Sequence, residues 1–74
     1  AKDPKNANAR ITRGIVFRTQ GKHDLAIAEF GAGIRDNPNF ETLYRERAAT
    51  YRLAGKPDLA AADERKAQML KSGK

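Results

Sequence analysis

At 74 residues, with no cysteine and a single histidine, the chain can hold only one small domain, without disulfides, thiolate metal sites or a histidine-built zinc site. A core this small seldom supplies more than about 3–5 kcal/mol without such staples, so helix packing has to carry the stability. Fifteen Lys and Arg against nine Asp and Glu leave a net charge of +6, which favours acidic partners through long-range attraction and says little about fold.

The charge is spread evenly: residues 1–40 hold seven basic and four acidic groups, residues 41–74 eight and five. No basic run of the kind seen in nucleic-acid tails stands out, and most of these charges read as solvated helix surface. The longest apolar runs, Leu25–Ala28 and Leu59–Ala62, have four residues each, against the roughly 20 a membrane span needs. No charged leader with an apolar stretch opens the chain, which leans slightly towards the cytoplasm. A periplasmic or exported chain whose leader was removed fits the lack of cysteine equally well.

In chain order, Asp3-Pro4 comes first and has the look of a joint closing a preceding element. A helix is then predicted from about Asn8 to Gln20, with Ile11, Gly14, Ile15 and Phe17 at helical spacing. Gly21 supplies a residue able to take positive φ where that helix stops. A second helix is predicted from near Asp24, whose carboxylate suits a first turn, carrying Leu25, Ile27, Ala28, Phe30 and Ile34. Asn37-Pro38 ends it, since proline lacks a backbone donor and pushes the preceding residue out of the helical region.

The third predicted helix runs from about Thr42 to Ala54, with Leu43, Tyr44, Ala48, Tyr51 and Leu53, and breaks at Gly55. Pro57 falls near the start of the fourth, where its missing N–H costs nothing. That helix continues through Leu59, Ala60, Ala67 and Leu70 to a frayed end from Lys71 onward.

These elements repeat. Shifting the sequence by 34 residues aligns Pro4/Pro38, Arg13/Arg47, Arg18/Arg52, Gly21/Gly55, Lys22/Lys56, Asp24/Asp58, Leu25/Leu59, Ala26/Ala60 and Ala28/Ala62. Close substitutions join them at Asp3/Asn37, Gly14/Ala48, Phe17/Tyr51, Glu29/Asp63 and Gly33/Ala67. The shared positions are small, aromatic or turn-forming, the types that geometry restricts most. Small side chains at Gly14, Ala26, Gly33, Ala48, Ala60 and Ala67 let helices approach closely, and Phe17, Phe30 and Tyr51 are predicted to fill the gaps beside them.

Gly14, Phe17, Ala26, Phe30, Gly33 and Pro38, with Ala48, Tyr51, Ala60 and Ala67 one unit later, resemble the tetratricopeptide repeat family, whose unit is 34 residues long. The stretch Gly21-Lys-His-Asp-Leu-Ala-Ile-Ala-Glu-Phe is especially typical, and the resemblance covers residues 3–71. It implies an all-α domain over residues 1–74: two helix-turn-helix hairpins, four helices, stacked as a short right-handed solenoid. The units would be about 7–40 and 41–74, residues 1–6 resembling the end of a preceding unit, as in a fragment of a longer array. Arg10 and Glu64 depart from the family pattern, which has large apolar or aromatic residues at those places. Two units alone should be marginal unless the chain self-associates weakly or a partner covers an open end; the polar Glu64 is alternatively the mark of a natural terminus at the second unit.

In such repeats the first helices of successive units line a concave groove that holds another protein or a peptide. Carried over, that groove would present Asn8, Ile11, Thr12, Ile15, Arg18 and Thr19, then Thr42, Arg45, Ala49, Arg52 and Leu53. Arg18, Arg45 and Arg52 are expected to share one face and to suit an acidic peptide through paired hydrogen bonds, with Ile11 and Ile15 as an apolar patch. The lysine–asparagine clamp by which some members hold the acidic tail of heat-shock chaperones is absent, its places carrying Ile11, Ile15, Arg45 and Ala49.

The alternative is a basic nucleic-acid-binding helical module. It is disfavoured, because the aromatics needed for base stacking are committed to packing and no nucleic-acid motif appears. Catalysis is not expected. One histidine beside Asp24, no cysteine and no glycine-rich phosphate loop offer little acid–base, nucleophilic or phosphate chemistry, and no cofactor is implied.

Overall fold

The computed structural model describes residues 7–72. It contains four helices and, among the described residues, no strand: α1 (Ala7–Thr19), α2 (His23–Asp36), α3 (Glu41–Leu53) and α4 (Pro57–Ser72). The all-α fold of two helical hairpins agrees with the sequence, and helix ends differ from the expected ones by about a residue. The exception is α4, which stays helical through Lys71 and Ser72, where fraying was expected. Asp3-Pro4 and Gly73-Lys74 lie outside the described residues.

Both hairpin turns are built alike. Gly21 and Gly55 take φ of 80° and 79°, a region in which a Cβ is strained. Beside them the Gly21 N–H donates to the Arg18 carbonyl at 2.9 Å and the Lys22 N–H to the Phe17 carbonyl at 2.8 Å. One repeat later, Gly55 donates to Arg52 at 3.1 Å and Lys56 to Tyr51 at 2.8 Å. This double bond pattern is the Schellman closure of a helix C-terminus. Between the hairpins, Asn37-Pro38 stops α2, and the Tyr44 hydroxyl donates to the Pro38 carbonyl at 2.7 Å, tying α3 to the linker. Burial around that phenol raises its pKa above the ordinary tyrosine value.

α2 packs on both α1 and α3, α1 meets α3 along a narrower contact, and α4 packs on α3 alone. The central cluster is Ala26, Phe30 and Leu43, all fully buried, with Ile11, Ile15, Phe17, Ile34 and Phe40 packed around it. Of the three aromatics expected in the core, Phe30 is enclosed while Phe17 and Tyr51 are half-buried. Leu25 and Leu59, matched at the repeat offset, are about equally exposed at 48% and 49%.

Close approach explains the glycines at Gly14 and Gly33. A Cβ on Gly14 would lie 2.5 Å from the Phe30 ring, and one on Gly33 would lie 2.8 Å from Leu43 Cδ2. Gly14→Ala should therefore destabilise the chain by about 1–3 kcal/mol, although alanine is the better helix former. A urea midpoint at or above the wild-type value would contradict this packing. The second hairpin has Ala48 and Glu64 where the first has Gly14 and Phe30, so alanine fits where no ring presses.

Candidate peptide-binding face

The residues expected to line a groove lie on α1 and α3, adjacent helices in the fold. Asn8, Thr12, Arg45, Ala49 and Arg52 are exposed, as are Thr19 and Leu53, while Thr42 is half-buried. Ile11 and Ile15 are half-buried and pack on the Phe30 cluster, so much of the expected apolar patch is turned into the core.

The three arginines have different surroundings. Arg18 reaches across to α3: its Nη1 is 2.9 Å from the Glu46 carboxylate, 3.2 Å from the Glu46 carbonyl and 3.3 Å from Thr50 Oγ1. Thr50 is itself fully buried and donates to the same Glu46 carbonyl at 2.9 Å. Arg18 thus fastens α1 to α3. Arg45 makes an i,i+4 pair with Glu41 at 3.0 Å and remains more than half exposed. Arg52 grips Glu64 of α4 with Nε and Nη2 at 2.8 and 2.6 Å. That pairing raises the Arg52 pKa and lowers that of Glu64, in each case chiefly through the hydrogen bonds.

Arg18 and Arg52 therefore differ in partner despite their equivalence in sequence. Arg18 has a neighbouring helix to cross to. Arg52 bonds within its own hairpin, to Glu64 of α4.

A second set of pairs was not anticipated. Arg13 lies 3.3 Å from Glu29, which also takes Arg10 at 3.2 Å. One repeat later, Arg47 holds Asp63 with two bonds of 2.8 and 2.9 Å and places its guanidinium 5.6 Å from the centre of the Tyr51 ring. The Asp63 bonds raise the Arg47 pKa further above the usual guanidinium value. The offset had matched Arg13 to Arg47 and Glu29 to Asp63, so the pairing was open to inference from those two correspondences taken together.

Among the described residues, two of the surface hollows lie away from the groove residues. One of about 580 Å³ lies at the hairpin turns between Gly21, Lys22, His23, Asp24, Leu25, Ala54 and Lys56. The other, about 370 Å³, is formed by the linker residues Asp36 to Phe40. Among the described residues no three His, Cys, Asp or Glu side chains converge as a metal site, and no helix is long and apolar enough to cross a membrane.

Scans of protein-family models, curated proteins and solved structures return no match to this chain.

Proposed function

We propose that the chain is a tetratricopeptide-type scaffold, a short right-handed solenoid that binds an acidic segment of another protein along the α1–α3 face and catalyses nothing. The observation that carries this reading is the repeated construction of the hairpins. The Gly21 and Gly55 closures and the Arg13–Glu29 and Arg47–Asp63 pairs recur at one offset, so α1 and α3 bring corresponding edges side by side. Asn8, Thr12 and Ala49 supply low relief on that face. Arg45 supplies the charge, because it is more than half exposed and an i,i+4 pair such as the one it makes with Glu41 is weak enough to yield to a competing carboxylate.

The test is an array of acidic and neutral peptides followed by calorimetry with the tightest binder. Arg45→Glu should weaken binding by more than about 1.4 kcal/mol, a factor of ten, while Lys71→Glu near the end of α4 should change it little. Equal losses would replace a defined face with diffuse attraction. A preference for single-stranded nucleic acid, with a steep fall of affinity in salt, would favour the basic nucleic-acid module instead.

A further inference from the structure

We infer that the outer face of α4 is a closed end, which rejects the kind of docking by which α3 sits on α2. The inference concerns a surface other than the α1–α3 face and rests on the 34-residue correspondence alone.

α2 receives α3 with small and apolar residues. Phe30 is fully buried, Gly33 lies beneath Leu43, Ile34 packs on the same cluster, and the Arg47 guanidinium passes Gly31 at 3.6 Å from where a Cβ would stand, an ordinary contact distance. The corresponding places on α4 carry Glu64 for Phe30, Arg65 for Gly31, Ala67 for Gly33 and Gln68 for Ile34. Ala67 alone is small and apolar; Glu64, Arg65 and Gln68 are charged or polar.

Arg52 completes the argument. Its counterpart Arg18 spends its hydrogen bonds on the next helix, at Glu46 and Thr50. Arg52 spends them on Glu64, the residue that replaced the ring, so one substitution both removes the docking side chain and neutralises the docking arginine. A helix laid on α4 as α3 lies on α2 would have to strip water from this pair, and polar groups taken out of water need new partners. An arginine at the Arg47 place of that helix would also meet Arg65 where Arg47 passes Gly31, a like-charge contact.

The experiment extends the full chain after Lys74 with a second copy of residues 41–74, which keeps the register. It compares this protein with the same extension carrying Glu64→Phe, Arg65→Gly and Gln68→Ile, the α2 residues. Amide exchange by NMR reads the added hairpin residue by residue. In the native background the added hairpin should exchange at least about tenfold faster than in the restored background, and melt apart from the rest. Comparable protection in both backgrounds would overturn the inference, because α4 would then accept a helix as it stands. Lack of protection in both would overturn the correspondence between α2 and α4 on which it rests. Glu64→Phe alone, in the unextended chain, checks that the restored surface does not itself unfold the hairpin. Binding of an acidic peptide is not read in any arm, so failure here and failure of the peptide face remain distinguishable.

Discussion

Phe30→Ala should leave the chain largely unfolded at room temperature. The side chain is fully buried, its ring fits against the bare Cα of Gly14, and it forms one cluster with Ala26 and Leu43. Large-to-small changes of this kind cost about 3–5 kcal/mol, the lost transfer energy plus the cavity left behind. Domains of this size hold only about 0.05–0.15 kcal/mol per residue, so the loss is comparable with the whole. The cavity would also lie where three helices meet, since Gly14 belongs to α1, Phe30 to α2 and Leu43 to α3. Helicity by circular dichroism and the urea midpoint check this together. A midpoint equal to the wild-type value would mean that the ring is not part of the core. Phe30→Leu combined with Gly14→Ala should be less damaging than the sum of the two single changes, because each relieves a contact made by the other.

The helix count and the two reversals were legible in the sequence, because glycine and proline act on the backbone directly and their effect is local. Gly21, Gly55, Asn37-Pro38 and Pro57 each sit where a helix stops or starts. The groove residues were less legible. Helical spacing placed Ile11 and Ile15 on α1, but whether that side meets α2 or water depends on the crossing of two helices, which one helix's periodicity does not contain. The same holds for Leu25, which shares the apolar pattern of α2 with Phe30 and yet is nearly half exposed. Arginine partners were least legible. A guanidinium reaches several residues in any direction, so Arg18 and Arg52 share a register position yet bond to different helices.

Removing the Asp63 carboxylate should be far more damaging than removing the Arg13 guanidinium from the pair at the corresponding place in the first hairpin. Asp63 is 6% exposed, and its two oxygens take a forked pair of bonds from Arg47. The Arg47 guanidinium also lies over the Tyr51 ring, with its other end against Gly31, so it is enclosed by groups from α2, α3 and α4. Asp63→Ala would leave that cation with an aromatic face and little else. Breaking a buried pair from one side costs about 3–5 kcal/mol, and the remaining water contact of Arg47 puts the expected loss near the lower end. Arg47→Met with Asp63→Leu should recover most of it, since no charge is then stranded. In the first hairpin, Glu29 keeps one bond to each of Arg10 and Arg13, and Arg13 is more than half exposed. Arg13→Ala should therefore cost less than about 1 kcal/mol. Urea midpoints for the four proteins, at one ionic strength, decide the matter. Similar losses for Asp63→Ala and Arg13→Ala would show that burial does not distinguish the two pairs, and a double variant no better than Asp63→Ala would show that the pair itself, rather than the stranded charge, holds the second hairpin together.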